Sequence, residues 1–468
     1  MTLAPSTLTT IQALIDDLVA NHPQIELLVD AEQTAAYAGD YSWRSPGDWQ
    51  PAAPGPTVAL PATVEQVQDV VRTAARHGVS IVPRGAGSGL SGGATPDAGQ
   101  LVVATDRLNR VVEVAPLDQV VVVEPGVVNA RLNEQLEQYG LFYAPDPASF
   151  EISAIGGNIA TNAGGLRCAK YGVTGDSVLA LDVVLADGSL VHIGHRSIKG
   201  VSGLDLVSLF VGSEGILGIV VGATLRLRKI PLERRTLTAF FDSTEAGTRG
   251  LDAITRSPVE PAVVEFFDQP TLENIDEFSG SALRTRGASL ILIELDGYGI
   301  DDQTRDLTRH LRAAGAVVAV EAEEAAERLW QLRRSGRGQV EDLWTIGEDI
   351  AVPKSRIPDI YASFAGIGRQ YGVKISAVSH AGDGNLHPQI SRVRLPGETE
   401  LPQEVSAAAT ALVQRALDLG GTVSGEHGIG TAKLEWLRLE LSDRNRALQQ
   451  AIRAAMDPQA LFNPGKAI

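Results

Sequence analysis

The pattern of hydrophobic and polar positions changes near Pro231 and divides the chain into two parts. Before Pro231, short β-branched runs alternate with segments of helical spacing, which is typical of α/β structure. This pattern predicts a strand at 58–60, a helix at 64–77 capped by Thr63, and a strand at 81–82. A long helical segment is predicted further upstream, at 7–37.

After Pro231 the apolar runs become longer, and helical segments separate them. This arrangement predicts an antiparallel sheet with strands at 235–243, 262–268, 288–296 and 316–321, and helices at 245–256, 301–314 and 322–340. Residues 404–460 are predicted to be mostly helical, with a break in the glycine run 420–430. The predicted fold class is therefore α+β. The predicted division is an N-terminal helical segment, two domains and a C-terminal segment, at 1–50, 51–230, 231–420 and 421–468.

Composition places the chain among globular proteins, with 44% hydrophobic and 21% charged residues. A net charge of −17 argues against a nucleic-acid partner, although a local positive pocket for an anionic substrate stays open. Cys168 is the single cysteine, so the chain can form no internal disulfide and cannot ligate an iron–sulfur cluster through cysteines. An oxidoreductase built this way would pass its electrons to a separate acceptor.

The N-terminal residues contain no basic region followed by an apolar run, so no secretory signal is expected. No stretch is long and apolar enough to span a bilayer. A cytoplasmic location is therefore the default expectation, with peripheral attachment to a membrane left open.

The segment 83–93 has five glycines in the nine positions from 85 to 93. Without Cβ atoms, such a backbone can approach a ligand closely and direct its N–H groups at phosphate oxygens. The segment matches neither the P-loop nor the dinucleotide pattern, and a flexible turn is the alternative interpretation. A second segment, 155–165, is small, polar and aperiodic, unlike a helix or strand in a core. It suits backbone packed around a flat ligand.

Two C-terminal motifs, 379–387 and 424–430, gather three of the eight histidines and a glutamate. A type I′ turn at Asp383-Gly384 would place His380 directly opposite His387 on one face of a hairpin, with Cβ atoms about 5 Å apart. That arrangement suits two imidazole ligands of one metal. The alternative is a pair of unrelated surface histidines.

Adjacent residues on a regular strand point to opposite faces, so Glu426 and His427 can address one site only from irregular backbone. The neighbouring glycines Gly425, Gly428 and Gly430 permit such a backbone.

Six motifs in order give the chain a family resemblance that covers roughly residues 35–468. PRGAGSGLSGG, PDPASFEISAIGGNIATNAGG and GSEGILGIV resemble the FAD domain of the vanillyl-alcohol oxidase type, also called the PCMH type. HAGDGNLH, SGEHGIG and LFNPGK resemble the FAD-linked oxidases that include D-lactate dehydrogenase, D-2-hydroxyglutarate dehydrogenase and the glycolate oxidase catalytic subunit. The resemblance implies an FAD domain of two α+β subdomains, a cap domain with a large antiparallel sheet flanked by helices, and a C-terminal helical segment returning to the FAD domain.

The resemblance also implies roles for individual residues. FAD would be bound noncovalently, because the segment 83–93 contains no histidine or cysteine. The implied pyrophosphate loop is Arg84, Gly85, Ala86, Gly87, Ser88, Gly89, Leu90 and Ser91. The remaining implied cofactor-binding residues are Pro145, Asp146, Ser149, Ser153, Gly156, Gly157, Asn158, Thr161, Gly164, Glu214, Gly218, Ile219 and Asn463.

By the same resemblance, His380, His387 and Glu426 would bind a divalent metal, and His427 would be the free base. This ligand set suits Zn²⁺, with Mn²⁺, Fe²⁺ and Co²⁺ as alternatives. The implied reaction oxidises a 2-hydroxy acid to the 2-oxo acid: the metal lowers the pKa of the hydroxyl, His427 takes its proton, and a hydride passes to flavin N5.

Arg333 matches an arginine that binds the substrate carboxylate in relatives, and a solvated helix face is its alternative role. Where the D-2-hydroxyglutarate type has a threonine and a lysine for the distal carboxylate, this chain has Arg337 and Gly347. D-Lactate or glycolate is therefore favoured over D-2-hydroxyglutarate, although Arg337 could still serve a diacid.

Alternative functions are a catalytic flavoprotein subunit of a glycolate oxidase-type complex and, from another class, a metallohydrolase. The expected electron acceptor is an electron-transfer flavoprotein, a quinone or an iron–sulfur subunit, and a homodimer stays open.

Overall fold

The protein is described from a computed structural model that covers residues 5–42, 55–334 and 342–468. The helices are α1 Pro5–Asn21, α2 Ala31–Thr34, α3 Val64–His77, α4 Asn129–Leu136, α5 Ile155–Thr161, α6 Cys168–Tyr171, α7 Thr174–Ser177, α8 Val207–Phe210, α9 Thr244–Thr255, α10 Gln269–Ser279, α11 Ile300–Ala313, α12 Glu323–Arg334, α13 Ile357–Tyr371, α14 Gln403–Asp418, α15 Leu434–Glu440 and α16 Asp443–Met456. The strands are β1 Glu26–Leu28, β2 Thr57–Leu60, β3 Ile81–Arg84, β4 Leu101–Ala104, β5 Val111–Ala115, β6 Val120–Val123, β7 Leu141–Phe142, β8 Val178–Val184, β9 Leu190–Gly194, β10 Ile219–Arg226, β11 Arg228–Lys229, β12 Arg234–Phe241, β13 Val263–Phe267, β14 Ser289–Asp296, β15 Val317–Val320, β16 Leu343–Gly347, β17 Ile350–Ala351, β18 Lys374–His380 and β19 Asn385–Val393.

The chain forms two compact units. Among the described residues, unit 1 contains those within 1–163, 173–230 and 427–468, and unit 2 contains those within 164–172 and 231–426. The short segment 164–172 and residues 421–426 thus cluster with unit 2, whereas the predicted boundaries put them in other parts of the chain.

Unit 1 is built on two sheets. The first has the order β1-β2-β4-β3, in which β2, β4 and β3 run parallel. The second has the order β5-β6-β10-β8-β9 and is antiparallel throughout. The C-terminal segment extends the first sheet, because the N–H of Ile81 donates to the carbonyl of Leu461 at 2.7 Å and the N–H of Asn463 donates to the carbonyl of Ile81 at 2.8 Å. Phe462 between them is fully buried.

The helix α3 matches its predicted bounds of 64–77, and the Thr63 side chain accepts a hydrogen bond from the N–H of Gln66 as the cap requires. The long helix predicted at 7–37 is wrong in its second half, because the chain leaves the helix after Asn21 and forms β1 against β2.

The segment 155–165 was predicted to be unlike a helix or a strand. This prediction is wrong for its first part, since residues 155–161 form α5. Glycine is a poor helix former, so this helix depends on packing. A Cβ on Gly156 would lie 2.6 Å from the Cβ of Pro125, so glycine allows the helix to pack directly on that residue. Ile155 and Ile159 on the same helix are fully buried.

Unit 2 contains one large antiparallel sheet with the order β15-β12-β14-β13-β18-β19-β16, and β17 also pairs with β19. Most residues of the inner strands β12, β13, β14 and β18 are buried, and the apolar ones among them account for the longer hydrophobic runs after Pro231. The helices α9, α10, α11 and α13 contact this sheet. Within the described part of the chain, no helix has both the length and the apolar character needed to cross a membrane.

Candidate functional site

The hairpin β18–β19 carries the two histidines of the HAGDGNLH motif. Its loop spans residues 381–384, so the two-residue turn expected from Asp383-Gly384 is wrong. His380 pairs with Asn385, and His387 pairs with Val378. The register differs from the predicted one by two residues, and a shift of two keeps every side chain on the same face. The histidines are therefore diagonal neighbours, with ring centroids 5.0 Å apart.

The carboxylate of Glu426 lies close to the imidazoles of His380 and His387 in unit 2. Its Oε1 atom lies 3.1 Å from Nε2 of His387 and 3.4 Å from Nε2 of His380. The three ligand-type atoms all lie within 4.8 Å of one another, as expected of a metal-binding group. All three side chains are at least 86% buried, so the cluster is sequestered from bulk water.

Electrostatics in this cluster favour positive charge. Burial alone would lower the pKa of His380, but the carboxylates of Glu265 and Glu426 outweigh it and raise that pKa to about 10. Burial alone would raise the pKa of Glu426, but the two imidazoles hold it well below its usual range. A divalent cation and these protons would compete for the same lone pairs.

The backbone that presents Glu426 is held by the fully buried Asp349. One oxygen of Asp349, Oδ2, accepts hydrogen bonds from the N–H groups of Gly425 at 2.8 Å and Glu426 at 3.0 Å, and from the hydroxyl of Ser424 at 2.8 Å. The other, Oδ1, accepts from Asn385 Nδ2 at 2.7 Å. A Cβ on Gly425 would lie 2.0 Å from that amide nitrogen, so glycine is required there. Asp349 thus ties the glutamate's loop to the histidine hairpin.

Gly164, which was predicted to line the flavin, lies beside Glu426 in unit 2. A Cβ at this position would be 2.6 Å from Oε2 of Glu426. Any larger residue would therefore push the carboxylate from its position.

Arg333, the predicted ligand of the substrate carboxylate, lies at the end of α12. Its Nε donates to the carboxylate of Glu265, which also accepts from Nδ1 of His380 at 2.6 Å. The structure therefore joins Arg333 to the histidine cluster through a shared carboxylate. Arg337, in contrast, lies outside the described residues, and Gly347 ends β16.

The glycine-rich segment 83–93 is shaped by Arg84 in unit 1. The buried guanidinium donates to the carbonyls of Ala94 at 3.0 Å and Ala36 at 2.8 Å. Its burial lowers the pKa of Arg84 from the ordinary value. Gly87 has a φ of +71°, and a Cβ there would lie 2.1 Å from the guanidinium. The Arg84 side chain therefore packs against the backbone of the loop and holds its shape. This arrangement is compatible with a loop whose backbone faces a ligand.

The far end of this loop binds the C-terminal motif SGEHGIG. The carbonyl of Ser91 accepts from the N–H groups of Thr431 at 2.9 Å and Ala432 at 3.1 Å. Its hydroxyl donates to the carbonyl of His427 at 2.9 Å. The backbone of His427, the predicted base, is thereby attached to the glycine loop of unit 1.

The two segments predicted to bind FAD lie against each other. A Cβ on Gly85 would lie 3.3 Å from the backbone nitrogen of Gly157 at the start of α5. Further along, Pro145 accepts through its carbonyl from Asn129 Nδ2 at 3.0 Å, and the hydroxyl of Thr161 donates to the carbonyl of Gly157 at 3.2 Å. The structure therefore brings together residues that are 72 positions apart in sequence, Gly85 and Gly157.

Three buried polar atoms test whether these residues fit a bound cofactor. Ser153 Oγ, Asn158 Nδ2 and Asn463 Oδ1 have no hydrogen-bond partner among the residues that the structure describes. A buried polar atom without a partner costs about 1–3 kcal/mol, so such atoms need an explanation. All three belong to residues predicted to bind FAD, whose ribityl and phosphate groups carry the matching donors and acceptors.

The carboxylate of Glu214 binds the C-terminal segment of unit 1. It accepts from the N–H groups of Ile429 at 2.8 Å and Gly430 at 2.7 Å. Burial raises the pKa of Glu214, against the opposing effect of these hydrogen bonds. Ile219 is a core residue of β10, and a Cβ on Gly218 would lie 2.8 Å from the Val183 side chain. A cofactor role for these three residues stays a prediction.

The side chains of Asn463 and Lys466 form hydrogen bonds between the C-terminal segment and the end of the glycine loop. Asn463 Nδ2 donates to the carbonyls of Glu214 at 2.8 Å and Gly93 at 3.2 Å. Lys466 donates to the carbonyls of Thr95 at 2.6 Å and Gly93 at 3.1 Å, and burial lowers its pKa to about 8.

Replacing Asn463 with alanine should weaken both stability and FAD retention. The substitution removes the Asn463 donor from the buried Glu214 carbonyl and leaves the Gly93 carbonyl with Lys466 alone, which costs about 1–3 kcal/mol of unfolding free energy. Denaturant unfolding and FAD titration of the apoprotein measure the two effects. Asn109→Ala, which removes an exposed amide of the same unit, should change either by less than about 0.5 kcal/mol. Equal behaviour of the two variants would contradict this role of Asn463.

Sequence reasoning missed Glu265, Asp349 and Lys466. Glu265 had a readable signal, since it is the only charged residue in the apolar strand β13. Lys466 ends the motif LFNPGK but was assigned no role, and the roles of Asp349 and Lys466 depend on contacts between residues distant in sequence. The single cysteine, Cys168, is buried in α6.

Comparison with known proteins identifies the family of the chain. The family "FAD binding domain" matches residues 56–194, and "FAD linked oxidases, C-terminal domain" matches residues 230–467. The chain is 38% identical to the glycolate oxidase subunit GlcD of Bacillus subtilis (strain 168), over 87% of this chain and 88% of that protein. It is 32% identical to the D-2-hydroxyglutarate dehydrogenase of Stutzerimonas stutzeri (strain A1501), over 97% and 98% of the two chains. Its fold is similar to that of p-cresol methylhydroxylase, with a TM-score of 0.77 at 16% identity over 99% of this chain and 97% of that one. The chain therefore belongs to the family of FAD-linked oxidases.

Proposed function

We propose that the protein is an FAD- and divalent-metal-dependent dehydrogenase that oxidises a small 2-hydroxy monocarboxylate, glycolate or D-lactate, to the 2-oxo acid. Both named sequence relatives support a hydroxy-acid substrate. The match to an FAD-binding domain argues against the metallohydrolase alternative, which treats the glycine segments as merely structural.

The observation that carries the metal part of the proposal is the convergence of two Nε2 atoms on one carboxylate oxygen. Tetrahedral coordination at about 2.1 Å places neighbouring ligand atoms about 3.4 Å apart. The observed separations of 3.1 and 3.4 Å match this spacing. Zn²⁺ suits two imidazoles and one carboxylate with an open position, and Mn²⁺, Fe²⁺ and Co²⁺ are the alternatives. A cation bound to His380, His387 and Glu426 would make the substrate hydroxyl more acidic.

His427 is the proposed general base. A neutral imidazole accepts a proton near pH 7, which suits removal of the hydroxyl proton. His427 directly follows the proposed ligand Glu426 in the chain, and its backbone is bound to Ser91 of the glycine loop. Bound FAD would accept the hydride that leaves the substrate carbon.

Arg333 is proposed to bind the substrate carboxylate. Its Nε is bound to Glu265, and the two terminal nitrogens of a guanidinium form the bidentate pair that a carboxylate accepts. Gly347, at one position where the diacid enzymes have a polar side chain, offers no group for a second carboxylate. This difference favours a monocarboxylate.

An anaerobic substrate screen tests the proposal. The purified holoenzyme is mixed with glycolate, D-lactate, L-lactate or D-2-hydroxyglutarate at equal concentration, and bleaching of the flavin is followed. Glycolate or D-lactate should bleach it at least about 10-fold faster than D-2-hydroxyglutarate, the discrimination that one charged hydrogen bond supplies. Fastest bleaching by the diacid would refute the substrate assignment, and bleaching by none of the four would refute the reaction class.

A second candidate function is that of a catalytic subunit in a glycolate oxidase-type complex. It is favoured by the relative whose name is a glycolate oxidase subunit, and by the presence of only one cysteine in this chain. In that case a separate iron–sulfur, quinone or flavoprotein acceptor receives the electrons. Reduced flavin that reoxidises slowly in air and quickly on adding a quinone or electron-transfer flavoprotein would support a separate acceptor.

A further inference from the structure

Glu265 occupies an unusual place for a charged residue. It is the middle residue of β13, its neighbours Val264 and Phe266 are buried, and its own side chain has no solvent exposure. Burying an ionised carboxylate costs several kcal/mol unless charged hydrogen-bond partners compensate. A charged residue in the core of a sheet is therefore not explained by packing alone.

The two partners of Glu265 are both residues of the proposed site. The strand register places Glu265 directly opposite His380 on β18, so the two side chains share one face of the sheet. Oε1 of Glu265 accepts from Nδ1 of His380 at 2.6 Å, and Oε2 accepts from Nε of Arg333. The two oxygens of one carboxylate thus hold two different functional groups.

The contact with His380 determines which imidazole nitrogen can bind a metal. A proton on Nδ1, held by the carboxylate, leaves the lone pair on Nε2, and Nε2 is the atom 3.4 Å from Glu426. The contact with Arg333 is through Nε, which leaves the two terminal nitrogens of the guanidinium for another carboxylate.

We propose that Glu265 is a positioning residue that orients His380 for metal binding and Arg333 for binding of the substrate carboxylate. This inference rests on the proposed metal site and extends it to a residue outside the ligand set. It predicts that loss of the Glu265 charge weakens metal binding and substrate binding together.

Glu321 of the same unit provides a matched control. Its carboxylate is 88% buried and accepts from Arg286 at 2.7 Å and from the hydroxyl of Thr238 on β12 at 2.5 Å. It resembles Glu265 in being a shielded glutamate paired with an arginine, but its partners are not residues of the site. If disrupting any shielded glutamate–arginine pair destabilises the protein, Glu321→Gln and Glu265→Gln should both show that loss of stability.

The experiment compares these two variants with the wild-type holoenzyme. Zn²⁺ affinity is measured by competition with a chelator, and the absorption spectrum of the Co²⁺-substituted protein reports the ligand geometry. Glu265→Gln should weaken Zn²⁺ binding about 10–100-fold, the range for outer-shell partners of metal ligands, and should change the Co²⁺ spectrum. It should also raise the KM for glycolate and D-lactate, while Glu321→Gln stays at the wild-type value in all three measurements.

Two results separate failure of this inference from failure of the proposed function. A wild-type protein that binds none of Zn²⁺, Mn²⁺, Fe²⁺ and Co²⁺ stoichiometrically overturns the metal site itself. A wild-type protein that binds Zn²⁺, together with a folded Glu265→Gln variant of unchanged affinity and spectrum, overturns only the positioning role. If Glu265→Gln does not fold, Glu265→Asp, which keeps the charge but shortens its reach, is measured in the same way. Weakened Zn²⁺ binding in that variant supports the inference, and unchanged binding overturns it.

Discussion

Glu426→Gln should abolish hydroxy-acid oxidation while leaving the flavin bound. The amide keeps the size of the side chain but replaces an anionic ligand by a neutral one, so the two histidines lose the carboxylate that lies 3.1 and 3.4 Å from them. Metal affinity should fall by more than about 100-fold, beyond the range seen for outer-shell changes. Metal analysis after dialysis and the anaerobic rate of flavin reduction measure the two losses.

The control is Glu398→Gln in the same unit. Glu398 pairs with Arg392 and accepts from Trp344 Nε1 at 3.0 Å, away from the histidine hairpin's loop. This variant should retain its metal and its rate. A Glu426→Gln protein with full metal content and wild-type flavin reduction would show that the glutamate is not a ligand.

His427→Ala should retain both FAD and metal and still lose the chemical step. Positioned general bases contribute about 10²–10⁴-fold to rates, so flavin reduction by the substrate should slow by that factor. The hydrogen bond from Ser91 is to the backbone carbonyl of His427, so the substitution leaves the anchor of the glycine loop in place. Stopped-flow reduction under anaerobic conditions measures the rate, and the flavin spectrum and metal content verify that both groups remain.

A surface histidine gives the matched comparison for that experiment. His310 lies on α11, and its Nδ1 donates to the carbonyl of Asp306 one turn earlier on the same helix, at 2.8 Å. His310→Ala should reduce its flavin at the wild-type rate. Loss of metal from His427→Ala would reassign His427 as a ligand, and fast flavin reduction in that variant would remove its role as the base.

The histidine hairpin shows how far sequence patterns reach at this site. The Asp-Gly signal predicted the turn but the wrong loop length, because local turn preference competes with pairing along the whole of β18 and β19. The prediction that both histidines share a face survived, since the register error was two residues and side chains alternate with period two.

The helix α5 shows a different limit. Its composition of small and polar residues predicted irregular backbone, and packing against Pro125 overrides that low helix propensity. Helix propensity describes a residue without its tertiary contacts. In the folded protein, the missing side chain of Gly156 lets α5 pack closely against Pro125.

The positioning carboxylates mark a third limit. The proposed metal ligands were found from motifs in which histidine and glutamate cluster in sequence, but Glu265 and Asp349 contact these residues from strands and loops far away along the chain. A lone charge inside an apolar strand is the one sequence signal that could have indicated Glu265. The role of Asp349 could not be assigned from the sequence, because it depends on the folded path of residues 424–426.

The most direct test of the account is the metal dependence of flavin reduction. The holoenzyme is depleted of metal with a chelator, its FAD content is verified, and it is mixed anaerobically with glycolate or D-lactate. The account predicts that the flavin stays oxidised on the time scale of turnover and that added Zn²⁺, or Mn²⁺, Fe²⁺ or Co²⁺, restores the reduction. Equally fast reduction of the flavin with and without metal would contradict it.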